Sequence, residues 1–228
     1  MNNKIISLII FLMLLPLSCM KEAETVWEGP YSSDVNSNVN SSSPKDAIAT
    51  VRVEEGKVVL VLSNKNRVFP LNWDLAIPKE PYRAMVEYVK VSVENDPNKN
   101  YVHLLWLEPI QTGNIILDTV TPSSAKAADP VGIVKDEFTS LEDRFLTIHY
   151  KINTSGTIPH SFSLTPGEDT NEIILLHDAH GDAPTYLEEG LIAFPLDQIL
   201  PVSGRAKLSV SYRDLDNKIS TLQFEYNL

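Results

Sequence analysis

The fold is decided by two apolar runs, RFLTIHYKI at residues 144–152 and EIILLHDAHGD at residues 172–182. Both runs are rich in the β-branched and aromatic residues that favour strands, and a polar connection joins them. The second run ends in His, Gly and Asp, which are typical of a compact turn. We therefore predict two buried strands here, and we expect the strands on either side to pack against this pair.

Strand patterns continue toward the C-terminus. In AKLSVSY and ISTLQFEY, apolar residues alternate with polar ones, which is the pattern of half-buried strands. Residues 214–217 supply Asp and Asn between these segments and predict a hairpin turn. Together with the two central runs, these segments predict that residues 131–228 form an antiparallel β-sandwich.

Short strand patterns also fill residues 46–118. AIATVRV, KVVLVL, RAMVEYVKVSVE and YVHLLWL are separated by turn residues, and a last short strand is predicted at 115–117. Five or six short strands with regular turns indicate a small barrel or sandwich. Residues 119–130 are rich in small side chains and are predicted to link this domain to the C-terminal one.

Residues 1–18 have the pattern of a secretory signal. Lys4 precedes an apolar run too short to span a bilayer, and the only cysteine of the chain, Cys19, follows directly. This arrangement resembles the lipobox of bacterial lipoproteins, which implies cleavage before Cys19 and a lipid on that cysteine. Residues 19–45 are rich in Ser and Asn, and we predict a flexible tether with a mean reach of roughly 25–30 Å.

The charge of the chain bears on its partners and its location. The net charge is -11, and it becomes -12 when Lys4 is removed with the signal. Phosphate binding needs clustered Lys and Arg, so no nucleic-acid partner is expected. Lys21, Glu22 and Glu24 resemble the surface-export signal of Bacteroidetes-type lipoproteins. This resemblance favours the outer face of the outer membrane; the alternative is a periplasmic protein in which these residues only begin the tether.

Nearly the whole chain resembles the NigD-like lipoproteins of Bacteroidetes. The resemblance is carried by AIATVRV-EEGKVVLVLSNKNRVFP, EDRFLTIHYKI, EIILLHDAHGD and GLIAFPLDQI. The family's turn and following strand are matched by His177, Gly181, Asp182, Gly190, Phe194 and Leu196. The resemblance implies an all-β protein in which an N-terminal OB-like small barrel precedes the C-terminal antiparallel β-sandwich. The family name comes from a bacteriocin gene cluster, which is an association rather than a mechanism.

The turn at residues 177–182 is the only candidate for a catalytic metal site in the sequence; the oxygen-rich residues 96–100 resemble the start of a calcium loop but are better explained as a hairpin turn. Its alternating His and Asp residues look like a metal-binding block of metallophosphoesterases. Such enzymes need further blocks on an α/β scaffold, which the sequence lacks, and no ligand spacing connects the turn to His103, His149 and His160. We instead predict a structural turn, in which Asp178 and Asp182 bond local amides and Gly181 adopts a positive φ. No metal, cofactor or catalytic residue is predicted.

Three aromatic residues are the candidates for binding a partner: Trp73, Tyr101 and Trp106. Such rings stack on sugars or anchor protein partners, and core packing is the alternative. Trp106 lies within a strand and is expected to be partly buried, whereas Trp73 lies in a Pro-rich loop and is expected to be the more exposed of the two.

The resulting functional hypothesis is a non-catalytic protein, anchored in the outer membrane by lipid, that binds or helps to assemble an unknown protein or glycan. The alternative is a bacteriocin-associated immunity or inhibitor protein, suggested by the family name. A metal-dependent hydrolase is the least supported hypothesis, because the sequence shows no set of nucleophile, base and metal ligands.

Overall fold

The computed structural model is all-β. It describes residues 37–38, 43–63, 65–93, 96, 99–117, 127–169, 171–200 and 204–227. The predicted signal, Cys19, most of the predicted tether and residues 118–126 of the linker region lie outside these ranges. In the described ranges, no helix has the length and hydrophobicity needed to cross a bilayer.

The N-terminal strands close into a barrel. They are β1 (Ser37–Asn38), β2 (Lys45–Glu54), β3 (Lys57–Leu62), β4 (Arg67–Pro70), β5 (Tyr82–Val93) and β6 (Tyr101–Pro109). The pairing order is β5-β2-β3-β4-β6, and β6 returns to β5. Only the β4–β6 pairing is parallel, and β1 adds to the end of β5. This is the closed five-stranded Greek-key order of an OB barrel, as the family resemblance implied.

Alternating residues of these strands fill the barrel interior. Val51, Leu60, Ala84 and Val102 are completely buried there. The turn between β2 and β3 consists of only Glu55 and Gly56, which both have positive φ. A two-residue turn of this kind matches the right-handed twist of the paired strands, so local turn chemistry and the buried row together set the register.

Two five-stranded sheets form the C-terminal sandwich. One contains β7 (Gln111–Thr112), β9 (Gly132–Ile133), β10 (Ser140–Glu142), β11 (Phe145–Thr154) and β14 (Tyr186–Pro195). The other contains β8 (Asn114–Ile115), β12 (Ser161–Pro166), β13 (Glu172–Asp178), β15 (Arg205–Arg213) and β16 (Ile219–Asn227). One apolar core lies between the sheets and includes Leu146, Ile148, Leu164, Leu175 and Phe194. The predicted hairpin of β15 and β16 is confirmed.

Three strand pairings in the sandwich are parallel rather than antiparallel. β13 runs parallel to β15, because β14 crosses to the other sheet between them. The two other parallel pairings are made by β7 and β8, which join β14 and β12. The strand predicted at residues 115–117 therefore ends at Ile115 and belongs to a sandwich sheet, not to the barrel segment. A two-residue strand has no periodicity from which its partner could be inferred.

The barrel and the sandwich share a small apolar contact and a buried cation. Ile48 and Ile110 pack with Phe145 and Ala193 of the sandwich. Beside them, Arg83 of β5 is 1% exposed and reaches polar groups of both parts. Arg52 adds an ion pair to Asp143 at 2.9 Å. These contacts hold the two parts in direct apposition.

Candidate functional site

The turn at residues 177–182 is a tight β-turn. His180 and Gly181 have φ values of 52° and 77°, and the Asp182 amide donates to the Ala179 carbonyl at 2.9 Å. The Asp178 carboxylate accepts a hydrogen bond from the His180 amide at 2.7 Å. The predicted positive φ of Gly181 and the predicted local bond of Asp178 are confirmed, and both positive φ values match a type I′ turn.

Asp182 has a different role from the predicted one. Its carboxylate accepts hydrogen bonds from the Ser155 amide and the Thr154 hydroxyl, each at 2.7 Å, and from the Ser155 hydroxyl. These partners lie at the end of β11, 28 and 27 residues before Asp182 in the sequence. The prediction that Asp182 bonds a local amide was therefore wrong. The carboxylate instead fastens the turn to the neighbouring sheet.

A buried chain of hydrogen bonds extends inward from Asp182. His160 Nε2 lies 3.1 Å from Asp182 Oδ2, and His160 Nδ1 lies 2.9 Å from His177 Nε2. His177 Nδ1 in turn lies 3.0 Å from the Pro130 carbonyl oxygen, and its ring stacks on Phe162. No spacing in the sequence linked His160 to this turn, because the two histidines come together only through the pairing of β12 with β13.

The hydrogen-bond donors at the two ends of this network follow from the chemistry of their acceptors. A carbonyl can only accept, so Nδ1 of His177 donates to the Pro130 carbonyl oxygen. The pKa of Asp182 is lowered, so its carboxylate accepts a hydrogen bond from Nε2 of His160, and the other ring nitrogen of His160 shares a hydrogen bond with Nε2 of His177. His160 and Asp182, which are 4% and 1% exposed at their side chains, thus form a buried hydrogen-bonded pair.

This arrangement uses the histidine nitrogens for structure. Both nitrogens of His160 and both nitrogens of His177 have protein partners. Burial lowers the pKa of His177, and the nearby His160 lowers it further. The hydroxyls of Ser155 and Thr154 hold the pKa of Asp182 well below its usual range. Within the described ranges, no three His, Cys, Asp or Glu side chains are arranged to hold a metal ion.

The stability of the fold is expected to fall in mild acid through His177. Because its folded pKa lies below the unfolded value of about 6.5, the unfolded chain takes up a proton that the folded chain excludes. The free energy of unfolding should therefore decrease as the pH falls below about 6.5. Asp182 adds a second loss below about pH 4, since its folded pKa is also lowered. Urea unfolding between pH 7.5 and pH 4.5 measures the first loss.

The control for this prediction is a histidine of the same turn. His180 is exposed, so His180→Asn should keep the slope of the wild type. His177→Asn retains a donor for the Pro130 carbonyl but does not titrate, so its unfolding free energy should be lower and flatter across this pH range. An unchanged slope in His177→Asn would show that another group carries the acid sensitivity.

The structure places the three candidate aromatic residues in different environments. Trp73 packs against the barrel core, and its Nε1 is buried without a hydrogen-bond partner among the described residues. Tyr101 is partly buried; its hydroxyl donates to Asp96 at 2.9 Å and its ring lies 6.0 Å from that of Phe69. Trp106 is 44% exposed. The expected order of exposure of the two tryptophans is therefore wrong.

A β-bulge explains the exposure of Trp106. Glu87 of β5 is opposite Trp106, whereas the next residue, Tyr88, is opposite Leu104, so Leu105 is an extra residue in β6. Leu104 and Leu107 face the barrel core. The bulge directs both intervening side chains away from that core, and Leu105 is 53% exposed. Leu105 and Trp106 form one exposed apolar pair, called the bulge surface below.

Leu105 was missed by the sequence analysis. In the run LLWL, two residues, Leu105 and Trp106, separate the core-facing Leu104 and Leu107, whereas a regular strand has one residue between successive core-facing positions. This break in alternation is the signal of a bulge. The Asn72 amide bonds the backbone of Leu104 at 2.8 Å in both directions. These two bonds continue the hydrogen bonding between β4 and β6 as far as Leu104. The bulge surface therefore begins directly after this hydrogen-bonded segment.

Comparison with known proteins finds one matching family model and several solved structures of similar fold. Residues 115–226 match the family model described as NigD-like C-terminal beta sandwich domain. None of the curated proteins compared with the chain matches it. Among solved structures, a protein from Parabacteroides distasonis described as toxin related is similar with 20% identity and a TM-score of 0.66, over 81% of this chain and 94% of that one.

Two further structures from Bacteroides share the architecture. A NigD-like immunity protein from Bacteroides caccae has 21% identity and a TM-score of 0.52, over 82% of this chain and 98% of that one. A protein from Bacteroides fragilis described as a lipoprotein has 14% identity and a TM-score of 0.53, over 81% and 98%. At these identities the likeness establishes the fold alone.

Proposed function

Because this chain belongs to the NigD-like family through its C-terminal β-sandwich, we propose that it is a lipid-anchored binding protein of the outer membrane that docks a protein partner on the bulge surface. The observation that carries the docking proposal is the exposure of Leu105 and Trp106 side by side on the barrel. Buried aromatic anchors beside apolar contacts supply much of the affinity of protein interfaces.

The anchor is supported by the N-terminal sequence and by the relatives. Cys19 directly follows an apolar signal, and a fold relative from Bacteroides fragilis is described as a lipoprotein. We place the protein on the outer face, because Lys21, Glu22 and Glu24 follow Cys19 in the manner of a surface-export signal.

The bulge surface is suited to a protein partner. Leu105 and Trp106 are consecutive, so their side chains move with a paired strand rather than with a loop. A bulged strand fixes its side chains before binding, and a preorganised anchor loses little conformational entropy when the partner arrives. The indole also keeps an N–H donor for a polar group at the rim of the interface.

A role in binding rather than catalysis also agrees with the histidine turn. His177 belongs to the turn that resembled a metal-binding block, and together with His160 it holds the turn, β12 and the segment before β9 in place. Their nitrogens are engaged by protein atoms, and they stabilise the sandwich. The chemistry of this cluster therefore supports a structural role.

A second candidate function is immunity against a bacteriocin. The specific observation is the shared fold of the NigD-like immunity protein from Bacteroides caccae. An anchored immunity protein would bind the incoming toxin with the same bulge surface. Deletion of the gene should then increase bacteriocin sensitivity, and a chain with Trp106→Ala should not restore resistance, whereas an assembly role predicts a defect without any toxin.

Site-specific cross-linking tests the docking proposal. A photoreactive residue at position 105, in native membranes, is expected to give one dominant protein adduct. The matched control is position 187, because Leu187 is equally exposed but lies on the sandwich. With the captured partner purified, Trp106→Ala should weaken binding by roughly 30-fold or more, as for an interface hot spot, and Leu187→Ala should not.

Several results of this experiment contradict the proposal. Equal adducts at positions 105 and 187 would mean that contact is nonspecific. An adduct of glycan rather than protein would assign the bulge surface to the other class of partner. Unchanged affinity in Trp106→Ala, with normal folding of that variant, would remove the bulge surface from the interface.

A further inference from the structure

A second site is indicated by an open cleft of about 290 Å³ in the sandwich. It lies where β11 ends and β14 begins, between the two sheets, and it is separate from the bulge surface. Its walls include Gln111, Tyr150, Ile152, Ile158, Phe162 and Glu188. Thr154, Thr157 and His160 also line the cleft, and both ring nitrogens of His160 are already bonded to Asp182 and His177. The cleft thus combines apolar walls with polar side chains, which is the usual composition of a small ligand site.

The position of Glu188 within β14 is unusual for a charged residue. Ile192 and Phe194 of the same strand face the core, and side chains two residues apart point to the same face. Glu188 therefore continues the core-facing row, and it is opposite Ile152, another core residue. Glu188 lies in the exposed first part of β14, and its side chain lines the cleft at the open edge between the two sheets.

The Glu188 carboxylate has no ion pair or hydrogen bond among the described residues. Its neighbour Glu189, on the opposite face, accepts from Lys151 at 2.6 Å and from His149 at 3.2 Å. One strand thus carries two successive carboxylates, of which only the outward one has cationic partners in the fold. The inward one is available to a ligand in the cleft.

Tyr150 reaches the same region because Gly190 makes room for it. A Cβ atom at Gly190 would lie 2.5 Å from the Tyr150 hydroxyl oxygen, so glycine permits the ring to lie across β14. Burial raises the pKa of Tyr150, and the negative charge of Glu188 raises it further. Neither this hydroxyl nor the Gln111 side chain has a hydrogen-bond partner within the described ranges.

The walls fit a short apolar stem. The Phe162 ring lies 4.6 Å from that of Tyr150, and Ile152 and Ile158 complete the lining. The polar groups offer a carboxylate, a hydroxyl oxygen and an amide oxygen. An ammonium group has three donors and no acceptor, so its hydrogen-bonding capacity matches these three acceptors. The volume suits one side chain rather than a drug-sized ligand.

We propose that the cleft binds a primary alkylammonium group, of the kind presented by a lysine side chain of a peptide, with Glu188 as its counter-ion. The negative net charge of the chain attracts cationic ligands in addition to this local pairing. The binding free energy of a single side chain is small, so a Kd of about 1 mM is expected for an isolated lysine derivative.

Titration with a matched pair of probes tests this site. The probes are Nα-acetyl-lysine amide and its uncharged counterpart Nα-acetyl-norleucine amide, and binding is measured by backbone amide chemical shifts. The lysine probe should shift residues around Tyr150 and Glu188, and increasing salt should weaken it. Glu188→Gln should bind the probe at least tenfold more weakly, whereas Glu189→Gln should bind it like the wild type.

The outcome does not depend on the docking proposal, because the bulge surface is on the barrel. A lysine probe that causes no shifts near Tyr150 contradicts the cleft proposal. Equal affinity for the norleucine probe would show an apolar pocket without charge recognition. Equal loss in Glu188→Gln and Glu189→Gln would show that binding follows overall charge and not this carboxylate.

Discussion

Replacement of Cys19 by alanine is expected to move essentially all of the protein from the membrane fraction to the soluble fraction. Each acyl CH₂ buried in a bilayer contributes about 0.8 kcal/mol to membrane binding, so loss of the lipid removes the main attachment. The described residues contain no helix that could span the membrane in its place. Cell fractionation and incorporation of a labelled fatty acid measure the change.

A tether variant is the matched control for Cys19→Ala. Replacing Lys21, Glu22 and Glu24 by alanine should leave labelling and membrane attachment intact, because these residues follow the attachment point. The same variant should protect the protein from proteinase added to intact cells, whereas the wild type should be digested. Failure of the wild type to incorporate the fatty acid would contradict the anchor. Digestion of the wild type only after lysis would place it on the periplasmic side.

Replacement of Arg83 by alanine is expected to lower the free energy of unfolding by about 3–5 kcal/mol. The guanidinium donates to Thr50 at 3.0 Å and to Thr147 at 3.3 Å, and it lies 3.5 Å from the Glu142 carboxylate. Burial lowers the pKa of Arg83, and the charges of Glu142 and Asp143 oppose that shift. Alanine leaves a void between barrel and sandwich and two hydroxyls without their donor.

Replacing Arg83 by methionine distinguishes the effect of losing the positive charge from the effect of losing the side-chain volume. Arg83→Met fills much of the space without a buried charge, and the Glu142 carboxylate that it leaves is 27% exposed and can stay hydrated. It should therefore lose much less stability than Arg83→Ala in urea unfolding followed by tryptophan fluorescence. Arg67→Ala, at an exposed arginine, should change stability by no more than about 0.5 kcal/mol. Equal losses in the alanine and methionine variants would show that the hydrogen bonds matter more than the void.

The strands were predictable where the pattern is local. β2, β3, β5, β11, β13, β15 and β16 all carry apolar runs or alternation, and their existence follows from the period of the buried side chains. The hairpin at residues 214–217 follows from turn chemistry in the same way. The family resemblance supplied the OB barrel, since spacing alone left a barrel and a sandwich as alternatives.

The sequence alone determined the all-β class, the C-terminal sandwich and the positive φ of Gly181, because those properties depend on residues near one another in the chain. Tertiary structure alone decided the His160–Asp182 pair, the orientation of Glu188 into a cleft and the exposure of Leu105 and Trp106. Each depends on register between strands, and one extra residue in β6 redirects the side chains around it. Pairing register is set by the packing of the whole sheet, so it is not encoded at any single position.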